Sequence, residues 1–278
     1  MRQVSSALLK TTSILCTAAT QGLALPSMQK HLYILTGGSR GMGLAIAHQL
    51  LKAEHELICI SRHANEGLAA AAKNTDIALS QWTQDLSDGQ AASERLGRWL
   101  QQQDPAQWGS ATLINNAGAI PPIAPLSQAH PQDLAQALRV GLEAPMQLCA
   151  RFLGVTESWG MPRKVLNISS GLGRKAMASQ AAYCAAKAGM DHFTRCLAMD
   201  EELKPNGAKV CSLAPGLIDT DMQVQLRSAS HAAFPDQPRF AQLQEKGLLT
   251  SPEEAARLVL AFLHRPDFGQ NPVGDVRD

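Results

Sequence analysis

The sequence predicts an α/β fold in which one doubly wound parallel sheet carries helices on both faces. Three observations predict it. Short apolar runs recur along the chain, each bounded by turn residues and followed by a helical pattern. Strands that alternate with helices in this way pair parallel, with helices covering both faces. The runs end in clusters of glycine, serine, asparagine or proline, and such sheets bind ligands beyond the carboxyl ends of their strands.

The bulk numbers agree. At 278 residues the chain is long enough for one large α/β domain or two small ones. An apolar fraction of 45% supports a packed core, and a net charge of +1 gives no basic excess for nucleic acid. No apolar stretch has the length of a membrane span. The six cysteines show no C-x-x-C pair and no metal-ligand spacing, so no metal is expected and a reducing cytoplasm fits best. Cys184 adjoins Tyr183, but neighbours on a helix point differently.

Residues 1–28 are set apart as an N-terminal extension. Arg2 and Lys10 precede a mildly apolar run interrupted by Thr, Gln and Gly. Two readings stand: a weak targeting segment, or a start assigned too early with Met28 as the initiator. The folded domain is taken as residues 29–278.

Residues 31–35 form the first strand, followed by Thr36-Gly-Gly-Ser-Arg-Gly-Met-Gly43 and a helix over 44–52. A strand, a glycine turn and a helix N-terminus make a dinucleotide phosphate site, because glycine lets the backbone approach the pyrophosphate and the helix dipole favours its charge. Gly37, Ser39, Arg40, Gly41, Met42 and Gly43 are its candidate residues, although their spacing differs from G-x-G-x-x-G. The second strand, 56–61, ends in Ser61-Arg62 where an NAD site usually has an acidic residue. Arg40 and Arg62 suit a 2′-phosphate, which favours NADP(H) over NAD; the competing reading is two ordinary surface arginines.

A third strand covers 77–83, and Asp85-Leu86 beyond it are placed beside the adenine. An amphipathic helix spans 87–103. The strand at 111–114 ends in Asn115-Asn116-Ala117-Gly118, where small and amide residues allow close backbone packing beside the cofactor. A Pro-rich loop leads to a helix over 132–152. Residues 165–168 form the next strand, which stops at Ser169-Ser170-Gly171. An Ala-rich helix from about 179 to 202 places Tyr183 and Lys187 one turn apart on one face. A serine near a tyrosine–lysine pair suggests acid–base chemistry: an ammonium favours the phenolate and lowers the phenol pKa. Alone, the pair reads equally as surface neighbours. A sixth strand, 209–213, ends in Ala214-Pro215-Gly216.

Together, Thr36-Gly-x-x-x-Gly-x-Gly43, Asn115-Asn-Ala-Gly118, Ser170, Tyr183-x-x-x-Lys187 and Pro215-Gly216 resemble the short-chain dehydrogenase/reductases, which have a Rossmann-type sheet. The resemblance runs from about residue 29 to the C-terminus. Tyr183-Cys-Ala-Ala-Lys, the segment from Ala214 to Gln223 and the closing Gly274-Asp-Val-Arg-Asp278 are similar to the sepiapterin reductase and benzil reductase branch. The resemblance implies an NADP-dependent oxidoreductase acting on a small-molecule carbonyl substrate. Tyr183 would protonate the carbonyl oxygen, Lys187 would bind the nicotinamide ribose and lower the tyrosine pKa, and Ser170 would hold the carbonyl. Asn116, Ala117, Gly118, Pro215, Ile218, Thr220 and Met222 would bind cofactor, residues 218–223 covering it. Gly216 and Asp275 would meet substrate, Asp275 gripping a guanidine-like edge; the competing reading of Asp275 is a solvated tail residue.

One position departs from the family. Many members carry an asparagine where Val140-Gly141-Leu142 stands, and it holds a water that relays protons to the lysine. Residues 223–247 are the expected substrate loop, made apolar by Phe234 and Phe240. A homodimer is implied, with Met190, Phe193 and Leu197 either at that face or in the core. Two alternatives remain: an NADP-binding redox sensor with weakened catalysis, and a 3-oxoacyl-carrier-protein reductase, which needs a basic patch not evident here.

Overall fold

A computed structural model describes residues 29–75 and 77–278, so the N-terminal extension and Cys16 lie outside the described residues. Seven strands form one sheet: β1 (Lys30–Thr36), β2 (His55–Ser61), β3 (Ala78–Thr83), β4 (Trp108–Asn115), β5 (Arg163–Ile168), β6 (Lys209–Ala214) and β7 (Val273–Asp275). Their order is β3-β2-β1-β4-β5-β6-β7, and every pair is parallel. The direction of winding reverses between β1 and β4, so the crevice beyond their carboxyl ends is the switch point where such sheets take ligands.

The helices are α1 (Gly41–Leu50), α2 (Glu66–Asn74), α3 (Gly89–Gln101), α4 (Pro131–Leu138), α5 (Ala144–Thr156), α6 (Ala181–Glu202), α7 (Asp221–Ser228), α8 (Gln237–Glu245) and α9 (Pro252–Leu263). The central strands β1, β2, β4, β5 and β6 carry buried apolar runs because both their faces are covered, whereas the edge strand β3 is only partly buried. Tyr33 and Leu35 of β1, Leu57 of β2, Leu166 of β5 and Leu213 of β6 join α1, α2 and α9 in one core. Leu32 and Ile34, Ile58 and Ile60, Leu113 and Val165 point the other way, toward α3, α5 and α6. Each fully buried Leu or Ile contributes about 1.5–3 kcal/mol, so slipping a strand by one residue has no apolar face to gain and a matched core to lose.

Local sequence sets the helix starts. The side chains of Asn65, Asp88 and Ser251 accept hydrogen bonds from the backbone N–H groups of Leu68, Ala91 and Glu254. Ser251-Pro-Glu-Glu254 is a capping sequence with proline in the first turn.

Four expectations change. α2, α9 and β7 were not anticipated. The helix over 132–152 is broken into α4 and α5 by a π-helical turn, Arg139–Glu143, which contains Gly141. The expected substrate loop carries α7 and α8 because Leu226, Phe234 and Phe240 bury one another beside Ile120, Ile123 and Met177. Met190 is fully buried, which puts it in the core, while Phe193 and Leu197 pack against the core and stay partly exposed. Among the described residues no helix is long and apolar enough to cross a membrane, and no cluster of His, Cys, Asp and Glu could hold a metal ion. Cys59, Cys149 and Cys211 are buried thiols pushed up to about 12 by that burial.

Candidate active site

The turns after β1 and β4 are tied to each other. The hydroxyl of Thr36 accepts from the backbone N–H groups of Asn116 and Ala117, both at 3.0 Å, and the Asn116 amide donates back to the Thr36 carbonyl at 3.0 Å. This bonding closes the crevice floor and needs small residues around it. A Cβ on Gly43 would stand 2.0 Å from the Gly37 carbonyl oxygen, so only glycine lets α1 sit against the turn. Gly41 differs: its φ is +53°, and a Cβ there would meet only Thr220, at 3.6 Å. Its outer side is open. Arg40 makes no side-chain cap on α1, and the first turn of α1 has no acidic residue. This end of α1 therefore carries no carboxylate of its own to repel an anion.

Around this turn, the Asn65 amide donates to the Ser39 carbonyl at 3.0 Å, and Met42 is buried. Ser61 ends β2 with a buried hydroxyl that has no hydrogen-bond partner among the described residues. Arg62 follows it, exposed. Asp85 accepts from the Ser87 N–H at 2.8 Å, which holds its carboxyl below the ordinary range, with a smaller contribution from the Arg62 charge. Leu86 is buried. The Arg40 guanidinium donates to Asp221 at 3.0 Å, so the glycine turn is already bridged to α7. Ile218, Thr220 and Met222 lie in the segment that makes this bridge, with Ile218 buried.

Ser170 follows β5 in an extended conformation and opens the 3₁₀ turn Gly171–Gly173, its hydroxyl accepting from the Leu172 N–H at 3.2 Å. Tyr183 and Lys187 project from the first two turns of α6 and are both buried. Just before α6, Ser179 adopts φ +60°, a left-handed conformation held by its hydroxyl bond to the Ala233 carbonyl at 2.6 Å. The Lys187 ammonium donates to the Ile168 carbonyl at 2.7 Å and stands 5.7 Å from the centre of the Tyr183 ring. Gly118 approaches from the opposite wall, where a Cβ would lie 3.8 Å from the Lys187 Nζ. The structure thus brings Ser170, Tyr183, Lys187 and the Asn116–Gly118 turn into one cluster.

Burial dominates the titration of both groups. Burial raises the Tyr183 phenol above its ordinary value, and a hydrogen bond with Ser170 opposes that rise only in part. Burial also pushes Lys187 down to about 8, against the attraction of Asp191. Desolvation penalises both charged forms, the phenolate of Tyr183 and the ammonium of Lys187. Tyr183 is consequently a protonated phenol at neutral pH, the state a proton donor requires.

Gly141 lies in the π-helical turn facing α6, where an added Cβ would meet the Ala186 Cβ at 3.1 Å. Asp275 is not a loose tail residue. It belongs to β7, pairs with Ala214, and holds Arg277 through both carboxylate oxygens at 2.6 Å. Gly216 has φ +87° and lies next to this strand, a Cβ there being 3.8 Å from Val276. Pro215 is buried beside it.

Sequence reasoning missed the polar layer beneath the cluster. Asn115 donates to Asn167 at 2.8 Å, Asn167 to Thr194 at 2.9 Å, and Thr194 to the Met190 carbonyl at 2.8 Å, joining β4, β5 and α6. Asp191 and Ser212 form a second buried polar contact beside Lys187, reached from the surface by Arg174. An asparagine inside the apolar run 165–168 was the one available signal.

Known proteins agree with this arrangement. The family model for short chain dehydrogenase matches residues 31–231. The chain is 35% identical over 240 residues to a benzil reductase, (S)-benzoin forming, from Bacillus cereus, covering 86% of this chain and 96% of that one. It is 32% identical over 245 residues to a sepiapterin reductase of Xenopus tropicalis, covering 84% and 90%. A crystal structure of a putative 2-deoxy-D-gluconate 3-dehydrogenase from Agrobacterium tumefaciens with bound NADP superposes with a TM-score of 0.72 at 25% identity, covering 90% of this chain and 96% of that one.

Proposed function

The chain belongs to the short-chain dehydrogenase family of oxidoreductases, and we propose that it reduces the carbonyl group of a small ketone or diketone using NADPH. The observation that carries this reading is the convergence of Ser170, protonated Tyr183 and Lys187 beside an open glycine turn. Bound NADPH would supply the hydride to the carbonyl carbon. Ser170 holds the carbonyl oxygen by its hydroxyl, and Tyr183 delivers its proton to that oxygen as charge develops there. The Lys187 ammonium then balances the phenolate left behind and orients the nicotinamide ribose. Gly37, Ser39, Gly41 and the N–H groups opening α1 hold the pyrophosphate. Ser61, whose buried hydroxyl lacks a partner, and Arg62 hold the adenosine ribose with its 2′-phosphate, joined by Arg40 once it leaves Asp221. Asp85 and Leu86 edge the adenine. Residues 218–223, with Thr220 and Met222, cover the cofactor.

A benzil-like diketone is favoured over a pterin. Both oxygens of Asp275 are held by Arg277, leaving no free acceptor pair for a guanidine edge, whereas the partly exposed apolar residues Ile120, Ile123 and Met177, packed on buried Phe234, suit a neutral aromatic ketone. Assembly as a homodimer is part of the same reading, supported by Met146 on α5 and Met199 on α6, which are large apolar residues left exposed.

NADPH absorbance followed with benzil and sepiapterin in parallel tests the proposal. Turnover is expected with benzil, and Tyr183→Phe should lower it about 10²–10⁴-fold while still binding NADPH, the range a positioned proton donor contributes. Tight NADPH binding without turnover of any ketone would instead favour a redox sensor.

A further inference from the structure

Asp191 lies four residues beyond Lys187 on α6, one turn along the same face, and is buried. A buried carboxylate needs partners, and two elements supply them, β6 and the Ser170 turn. Its Oδ1 accepts from the Ser212 hydroxyl of β6 at 2.7 Å. Its Oδ2 lies 3.3 Å from the Arg174 Nε, a charge contact without the alignment of a hydrogen bond. Arg174 closes the turn that begins at Ser170, and it reaches on to donate to the Gly274 carbonyl of β7 at 2.7 Å. Between them, Gly173 leaves no room for a side chain: a Cβ would meet Asp191 Oδ2 and the Lys187 carbonyl oxygen, each at 2.9 Å. The Ser170 turn therefore rests directly on the stretch of α6 between Lys187 and Asp191.

We propose that Asp191 is a positioning residue of this site: through Arg174 it fixes the Ser170 turn against α6, and it sets a carboxylate one turn beyond Lys187. The charged and titratable groups around Lys187, Asp191 and Arg174 support the assignment. The helix of Lys187 offers Tyr183 and Asp191, and the Ser170 turn offers Arg174. β6 contributes Cys211, and β7 contributes Asp275, already paired with Arg277. Gly118 and Gly141, on the facing walls, carry no charge. Asp191 is thus the carboxylate that opposes the cost of burying the Lys187 ammonium, in agreement with the direction of its effect on that lysine.

Two variants with opposite expectations test this. Asp191→Asn keeps the shape and one hydrogen bond to Ser212 but deletes the charge. Arg174→Gln leaves the carboxylate and deletes its countercharge. NMR titration of the Lys187 Nζ on protein carrying isotope-labelled lysine should show its midpoint about one pH unit lower in Asp191→Asn and higher than wild type in Arg174→Gln. The alkaline limb of the kcat/KM profile for ketone reduction should move in the same two directions. A residue that served packing alone would lower the rate at every pH and leave the midpoint where it was. Unchanged midpoints in both variants overturn the proposal. The kinetic arm rests on the reductase reading and the titration does not, so midpoints that shift in a protein that reduces no ketone would remove the reading and keep the inference.

Discussion

The glycine turn supports a paired prediction, because two of its glycines are required for different reasons. At Gly43 an alanine methyl would sit 2.0 Å from the Gly37 carbonyl oxygen and 2.5 Å from the Asn116 amide nitrogen. The first is backbone, held by the bonds that close the crevice floor, so relief requires α1 to move away from β1. Overpacking of this kind costs about 3 kcal/mol, or about 10 °C in Tm for a protein of this size. At Gly41 the methyl has only Thr220 nearby, at an ordinary 3.6 Å. The cost there is conformational: φ +53° in an alanine costs about 1 kcal/mol, or about 3 °C. Thermal unfolding should therefore rank Gly43→Ala well below Gly41→Ala. NADPH binding, followed by nucleotide fluorescence, should weaken at least tenfold in Gly41→Ala, since the added methyl occupies the open side on which the pyrophosphate is placed; tenfold is about 1.4 kcal/mol. A Gly41→Ala protein that binds NADPH as wild type does would refute that placement. Equal stability losses at the two positions would refute the reading of Gly43.

Further predictions follow from single contacts. Arg62→Ala should raise the KM for NADPH about tenfold and leave that for NADH unchanged, since a 2′-phosphate is the group its guanidinium is assigned to hold; equal effects on both would make it a plain surface residue. Arg40→Ala should weaken NADPH similarly while costing under about 1 kcal/mol of stability, because its bond to Asp221 joins two exposed side chains. His55 is buried and its pKa lies below the ordinary value, through burial opposed by a bond to the Leu50 carbonyl. The unfolded chain then binds the proton more readily, so this contribution is complete above about pH 6.5 and is lost as pH falls through the lower folded value. Chemical denaturation at neutral pH and at about pH 5 should show a smaller loss in His55→Asn than in wild type. Gly141→Asn should not raise turnover, because its Cβ would press on Ala186, next to Lys187, at 3.1 Å; a faster variant would show that the missing amide limits the rate.

Much of the fold was legible because its strands are covered on both faces. Runs such as Tyr-Ile-Leu in β1 and Leu-Ile-Cys-Ile in β2 are apolar at every position, so they stand out from the amphipathic helices between them. β7 could not be read this way. It is three residues long, Val-Gly-Asp, and it exists through hydrogen bonding to β6, a property of the neighbour. α7 and α8 were hidden by the prolines and glycine around them, although the apolar residues that made the segment look like a loop are the ones that fold it. The turn-borne residues were legible for a different reason: Gly37, Gly41 and Gly43 are dictated by backbone geometry, which leaves a mark in the sequence whatever the fold does elsewhere.

The residues that hold the site together leave no such mark. Asp191 reads as one more polar position on an Ala-rich helix, Ser212 as a small residue in a buried strand, and Arg174 as a surface arginine in a turn. Each acquires its meaning from partners far along the chain: Asp191 from Ser212 and Arg174, and Arg174 also from Gly274, one hundred positions away. The same holds for Asn115 and Asn167, which lie on adjacent strands but 52 positions apart in sequence. Buried polar groups are costly unless paired, so their pairing constrains the structure strongly while their spacing in the sequence is arbitrary. The Tyr183–Lys187 pair is local and readable, and in isolation an ammonium lowers a phenol pKa. Burial by β5, the Ser170 turn and the Asn116–Gly118 wall is non-local, and it raises the phenol and pushes the ammonium down to about 8. The local motif names the reacting groups; the non-local packing sets which of them carries the proton.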